Sequence, residues 1–259
     1  RPAAVILKHN NPCGAAWADG IDTALEKAFW SDRIAAFGGT VVVNRPLTLA
    51  AAELLSSAYF EVVAAPEFEA GVVEKLKSRK NLRILRIPGL GGLEALAGQP
   101  FLDIKSLLDG GLIVQFSFRN RIRTAQDFIP ATAHKDGQTL TALAPSAAEA
   151  QDLLFAWAVE AGVSSNSVIF ARDGATLAIG AGEQDRVGCV ELAIFKACTK
   201  FADRLAFDAH GLSLYELRAK AGSGEGEWAD ALADIETQVA LAKGGLPGSV
   251  LVSDGFFPF

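Results

Sequence analysis

Lys8 and His9 stand side by side at the end of an apolar run, Ala3 to Leu7, and directly ahead of Asn10-Asn11-Pro12-Cys13-Gly14. An imidazole at the tip of a buried strand is well placed to act as a general base. A neighbouring ammonium opposes a second positive charge and keeps the ring in its neutral, proton-accepting form. In an open α/β sheet ligands gather beyond the carboxyl ends of the strands, which is where this pair stands. Successive strand residues point to opposite faces, so the two side chains share a pocket only if the strand ends or twists there. The Asn-Asn-Pro turn, followed by Gly14, allows that. The plainer alternative is a solvated Lys-His pair on a surface strand end.

Four other segments carry polar or aromatic groups suited to chemistry. In Ala35-Ala36-Phe37-Gly38-Gly39, small residues around one aromatic let a flat ring approach the backbone, although a tight core turn has the same composition. Ser164-Ser165-Asn166-Ser167 offers an amide able to polarise a carbonyl, or else forms an ordinary turn. In Gly180-Ala181-Gly182-Glu183-Gln184-Asp185-Arg186-Val187 a glycine turn opens a helix. Its backbone N–H groups suit a phosphate and Arg186 adds charge, with a structural turn as the alternative. The third glycine of a dinucleotide fingerprint is missing. Ser253-Asp254-Gly255-Phe256-Phe257-Pro258-Phe259 follows a strand, and its phenylalanines either stack on a flat ring or belong to the core. Zinc deaminase chemistry needs H-x-E with P-C-x-x-C. Neither occurs, and His9, His134 and His210 are scattered, so no metal site is expected.

The elements that must hold these groups alternate. Strands are expected at 3–7, 40–43, 61–66, 82–87, 110–115, 167–172, 176–179 and 250–254. Helices are expected at 22–29 with Asp22 as N-cap, 48–59 capped by Thr48, 68–77, 146–161, 187–201 and 228–242. Ser146 with Glu149 makes a capping box, and Asp173-Gly174 a hairpin turn. The alternation indicates an α/β layer. The second half repeats the grammar of the first, which suggests a duplicated unit with a boundary near residue 125. With 259 residues, 50% of them hydrophobic and 21% charged, the chain has a globular composition, and it can bury a full core without staples. A net charge of −6 disfavours nucleic acid but leaves room for an anionic small substrate in a locally basic pocket. Cys13, Cys189 and Cys198 are odd in number and form no CxxC, which fits a reduced cytoplasmic compartment. No apolar stretch reaches the roughly 20 residues of a membrane helix, and no signal peptide is visible. The chain begins at Arg1, lacks methionine and stops at an apolar string, and so reads as a fragment.

Taken in order, PAAVILKHNNPCG, AAFGGTVVVNRPL, EVVAAP, GGLIVQ, DLLFAWAVEAGVSSNSVIFARDG, AIGAGEQDRVGCVELA and SDGFFPF resemble one family. It is the aminoimidazole-carboxamide-ribotide formyltransferase domain of the bifunctional purine-synthesis enzyme, whose other half is an inosinate cyclohydrolase. The resemblance spans nearly the whole chain. It implies a three-layer α/β/α fold of two cytidine-deaminase-like subdomains without catalytic zinc, residues 1–125 and 126–259, the second truncated at its C-terminal end. It implies a homodimer with active sites shared between protomers. It also implies formyl transfer from 10-formyltetrahydrofolate to the ribotide in purine synthesis. Residue by residue, Lys8, His9 and Asn166 match the catalytic set. Asn11, Phe37, Gly38, Glu61, Arg186 and Phe257 match substrate-binding positions. The family's RYGxNPHQ-like segment, its tail beyond FFPF and its cyclohydrolase half have no counterpart here, so the resemblance does not supply a complete site. The rival readings are a catalytically silent nucleotide-binding relative, an inosinate cyclohydrolase, and a deaminase-like hydrolase.

Overall fold

The apolar run that ends in Lys8 forms strand β1 (Ala3–Lys8), and the chain folds straight back as β2 (Asn11–Trp17). The computed structural model describes residues 1–96, 98–223, 226–255 and 257. His9 and Asn10 both take positive φ, 51° and 62°. Such a pair makes the two-residue hairpin turn whose twist matches its flanking strands. The turn is thus His9-Asn10 and not Asn10-Asn11-Pro12, and the expected turn region is a second strand. Pro12 sits opposite Leu7, where the register shifts between Ile6 and Leu7. An irregularity of this kind is where a strand tolerates proline. Helix α1 (Ile21–Ser31) then packs so closely on β2 that a Cβ on Gly14 would meet the Ala28 carbonyl at 2.0 Å.

The first half continues through α2 (Arg33–Ala36), β3 (Gly39–Val43), α3 (Leu49–Ser57), β4 (Phe60–Ala65), α4 (Val72–Leu76), β5 (Arg83–Arg86) and the short α5 (Leu93–Leu96). Two separate hairpins follow, β6 (Leu102–Ser106) with β7 (Leu112–Phe116), and β8 (Thr132–Lys135) with β9 (Gln138–Thr141). The second half comprises α6 (Ala147–Glu160), β10 (Ser167–Arg172), β11 (Ala175–Ala181), α7 (Arg186–His210), α8 (Leu214–Gly222), α9 (Gly226–Leu241) and β12 (Val250–Ser253). Ser146 and Glu149 close the expected capping box at α6.

One eight-stranded sheet runs β12-β10-β11-β2-β1-β3-β4-β5. Its left part repeats its right. β1 and β10 each turn tightly into an antiparallel partner, each shows a register shift, and each pairs antiparallel with a later strand, β3 or β12. Within this sheet, β3-β4 and β4-β5 are parallel. The seam between the parts is slight. β11 meets β2 at Ala175 and Ala16, and the Thr176 hydroxyl then accepts from Ala15 N at 3.0 Å and donates within 3.2 Å of Ala15 O.

Alternation along the strands sorts the core. Ala4, Ile6, Val41 and Val63 lie under α1, α3 and α4, and Val168 packs with Cys189 and Ala193 of α7. On the other face Ala15, Ile169, Ala171, Ile179 and Val252 pack against Phe155 and Ala156 of α6. The architecture is therefore α/β, with a large mixed sheet between helices.

Several expectations shift. α1 is capped by Gly20, whereas Asp22 lies inside it and accepts the Thr48 hydroxyl. The helix expected over 68–77 shrinks to α4 because Phe68 bridges Leu47 and Gly71 turns left-handed. α7 runs on to His210, where Gly211 at φ 68° caps it. α8, absent from the sequence reading, opens with a Ser213/Glu216 capping box. No helix among the described residues is long and apolar enough to cross a membrane.

Candidate active site

β1 ends where β3 and β4 begin, because β1 is antiparallel to β3 and β4 runs parallel to it. This brings the His9-Asn10 turn beside the Phe37-Gly38 turn and the start of β4. The site accordingly mixes strand ends, and the carboxyl-end rule of parallel sheets does not describe it. A cavity of about 560 Å3 opens there, lined by Lys8, His9, Phe37, Gly38 and Glu61, five of the nine positions singled out in the sequence. Leu7, Asn10, Thr40 and Tyr59 complete it.

Each wall has a local cause. Lys8 is half-buried, and its Nζ donates to the Phe37 carbonyl at 2.6 Å, tying the two turns together. His9 stays exposed at the hairpin tip. Gly38 has φ 73°, and its N–H donates to the Tyr59 carbonyl at 2.8 Å. The Phe37 and Tyr59 rings lie 5.0 Å apart at 39°. Phe37 is 62% exposed, so this tilted aromatic pair gives the cavity an apolar wall. Glu61 is exposed, and its nearest cation, Arg83, is 3.9 Å away. Tyr59 was missed in the sequence because it reads as the last residue of a helix.

Asn166 and Arg186 form a second cluster at the same end of the sheet, where β10 begins and β11 and β12 finish. The Asn166 amide spends one N–H on the Gln184 carbonyl at 3.0 Å, and its backbone N–H donates to the Glu183 carbonyl. Asp254 organises the loop, accepting from the Ser165 hydroxyl, from Ser167 N at 2.9 Å and from Arg186. Burial alone would raise the Asp254 pKa, but those hydrogen bonds outweigh it and hold the carboxyl well below the usual carboxylate range. Arg186 also donates to Ser253 Oγ at 2.9 Å, so its guanidinium braces β12. Behind it Glu160, 6% exposed, accepts the Ser167 hydroxyl, while its Oε2 and the Arg186 Nε have no hydrogen-bond partner among the described residues. Burial raises the Glu160 pKa. Nothing in the sequence marked Glu160, which sits on an otherwise ordinary helix.

Asn11 joins the clusters. Its Oδ1 accepts from Ser164 N at 2.9 Å and its Nδ2 reaches the His9 carbonyl at 3.4 Å. Phe257 is 40% exposed and lines neither cluster. Phe256, Pro258 and Phe259, also part of the aromatic expectation, lie outside the described residues. No three His, Cys, Asp or Glu side chains among the described residues are grouped as metal ligands.

A family model described as AICARFT/IMPCHase bienzyme matches residues 1–196, which takes in the nine positions singled out in the sequence except Phe257. The chain belongs to that family. Among its relatives is the bifunctional purine biosynthesis protein PurH of Synechococcus sp. (strain WH7803). It is 36% identical over 260 residues, covering 100% of this chain and 38% of the relative. PurH of Roseobacter denitrificans is 36% identical over 258 residues, covering 100% of this chain and 39% of the relative. PurH of Thermoanaerobacter sp. (strain X514) is 41% identical over 199 residues, 77% of this chain and 36% of the relative. The chain thus spans under two-fifths of the length of these curated relatives.

Proposed function

We propose that this chain carries the formyl-transfer half of purine biosynthesis, moving a formyl group from 10-formyltetrahydrofolate to 5-aminoimidazole-4-carboxamide ribonucleotide. The observation that carries the reading is the shared cavity of Lys8, His9, Phe37, Gly38 and Glu61, linked through Asn11 to the Asn166 loop. Family membership supports the same reading.

The exocyclic amine of the ribotide is a weak nucleophile because its lone pair is conjugated into the imidazole. As the amine nitrogen bonds to the formyl carbon, His9 takes the amine proton. The second N–H of Asn166, not engaged by Gln184, donates to the developing oxyanion. The bond from the formyl carbon to the folate nitrogen then breaks, and that nitrogen takes up a proton with help from Lys8. Lys8 retains two N–H groups beyond the one given to Phe37. The Phe37–Tyr59 pair supports a flat ring, Glu61, Arg186 and Phe257 complete substrate binding, and Asn11 serves as the tether between the clusters. Holding two large substrates in line contributes more than proton transfer does.

In this reading the chain comprises two cytidine-deaminase-like subdomains without catalytic zinc, residues 1–125 and 126–259, and works in the cytoplasm. It acts as a homodimer with shared sites. The dimer is supported by β6 and β7, whose Leu102, Ile104, Leu112, Ile113, Val114 and Phe116 are each at least 45% exposed. Leu102 pairs with Phe116 and Ile104 with Val114, so four apolar side chains share one face. A two-stranded hairpin is marginal alone in water and needs a partner surface. The deciding assay mixes full-length protein with the ribotide and 10-formyltetrahydrofolate and follows release of tetrahydrofolate. Ribotide binding without release would mean a silent relative, and cyclisation of formylated ribotide alone would mean a cyclohydrolase.

A further inference from the structure

A second polar cavity, of about 350 Å3, lies at the opposite end of the sheet from His9, between α1 and α7. Such a volume falls at the lower end of ligand-sized cavities, which run from about 300 to 1,000 Å3. Lys27, Arg172, Lys200 and Arg204 line it, with the Trp30 and Phe201 rings as apolar walls. Gly244 and Gly245, at φ 64° and 76°, form one rim.

The charges here do not cancel. Among the described residues Lys27 Nζ is held by a neutral carbonyl, that of Asp173, at 2.8 Å. Arg172 donates to two more carbonyls, of Gly245 and Pro247, at 2.9 and 2.6 Å. Asp173 lies 3.6 Å from Arg172, but its side chain is 81% exposed to water. Lys200 pairs with Asp32 at 3.0 Å, and that carboxylate must also serve Lys196 at 3.8 Å. Arg204 stacks on the Trp30 ring at 5.2 Å and meets Asp208 at 3.5 Å. Four cations, Lys27, Arg172, Lys200 and Arg204, therefore line the cleft against three carboxylates that partner them, Asp32, Asp173 and Asp208, of which Asp32 is shared with Lys196 outside the cleft. This local surplus sits in a chain whose net charge is −6. Gathering like charges in a partly desolvated cleft is unfavourable unless an anion joins them.

We infer that this cleft binds a phosphate group, with Lys27, Lys200 and Arg204 around the anion and Trp30 and Phe201 flanking whatever it is attached to. The site is separate from the formyl-transfer cavity and shares no residue with it. Free phosphate and a phosphate monoester offer the same headgroup, and the ring walls discriminate between them.

The test is a fluorescence titration of full-length protein, reading Trp30, with inorganic phosphate and with phenyl phosphate, sodium chloride holding ionic strength constant. A saturable change is expected that disappears in Trp30→Phe. Arg204→Gln and Lys27→Gln should each weaken it by about tenfold or more, the scale of one charge-assisted hydrogen bond. Tighter binding of phenyl phosphate identifies an ester as the ligand, and equal or weaker binding identifies free phosphate. Thermal melts check the same variants. Without phosphate both should melt no lower than the parent, and with saturating phosphate the parent should gain more than either variant. Chloride matching phosphate, or unchanged affinity in both variants, would overturn the inference and move any phosphate effect to another site.

Discussion

Removing the Asn11 side chain tests whether the two clusters act as one site. In Asn11→Ala, Ser164 N loses its 2.9 Å acceptor and the His9 carbonyl loses a 3.4 Å donor. The first bond contributes about 0.5–1.5 kcal/mol and the second, near the limit of hydrogen bonding, little. Ser164 is exposed, so water replaces part of the loss. Stability should then fall by only about 1 kcal/mol, or roughly 2–4 °C in melting temperature for a chain of this size. Catalysis should fall further, because the Asn166 loop loses its tether to the His9 turn. Displacing a positioned group by about 1 Å costs on the order of 10²-fold in rate. The expected loss is therefore roughly 10- to 100-fold in kcat, with KM for the ribotide nearly unchanged. Asn11→Asp keeps the acceptor for Ser164 and should recover part of the rate. Steady-state release of tetrahydrofolate, with melting followed by circular dichroism, gives both numbers. A kcat within twofold of the parent would refute the coupling. A rise in KM at constant kcat would make Asn11 a substrate contact and not a tether.

His9→Ala should lose about 10²–10⁴-fold in kcat while calorimetry still detects ribotide binding, and a near-parental rate would remove His9 from the chemistry. Gly14→Ala puts a Cβ 2.0 Å from the Ala28 carbonyl, so denaturant unfolding should show a loss of about 3 kcal/mol, and wild-type stability would mean that α1 is not seated as described. Asp254 and Glu160 pull stability in opposite directions with pH. The depressed Asp254 pKa gives stability that is present above its unfolded value of about 3.9 and lost as pH falls through the lower folded value. The raised Glu160 pKa gives stability that is complete below its unfolded value of about 4.3 and lost as pH rises through the folded one. Glu160→Gln should accordingly stabilise the protein more at pH 8 than at pH 4, and an effect independent of pH would show that folding leaves the Glu160 pKa unchanged. Ile104→Lys combined with Val114→Lys should convert the proposed dimer to monomer in sedimentation velocity, and an unchanged dimer would place the interface elsewhere.

Much of the fold was legible because its signals are local. The capping box at Ser146, the Thr48 cap and the Asp173-Gly174 turn each depend on a few adjacent residues, and each stands as read. β2 was hidden because Pro12 and Gly14 look like turn chemistry. Pro12 is tolerated at a register shift and Gly14 is required by α1, both facts of tertiary packing. Lys8, His9, Phe37, Gly38 and Glu61 could be named from residue type, but their meeting depends on β3 pairing with β1, a contact between residues far apart in the chain. Tyr59, Asp254 and Glu160 act through their neighbours, and residue type alone does not reveal that. The separation of Asn166 and Arg186 into an anchored cluster also depends on β12 returning beside β10.

The thin join between β2 and β11 also bears on how the molecule breathes. Where a backbone ladder gives way to one bridge, the Trp17 N–H to Gly174 carbonyl bond and a threonine hydroxyl, few main-chain bonds must break for the two sides to part. Amide exchange should therefore divide the sheet into two cooperative blocks. Deuterium would enter Ala15 and Trp17 ahead of Ile6 or Ile169, and the Asn11 tether would be the latch that such an opening has to release.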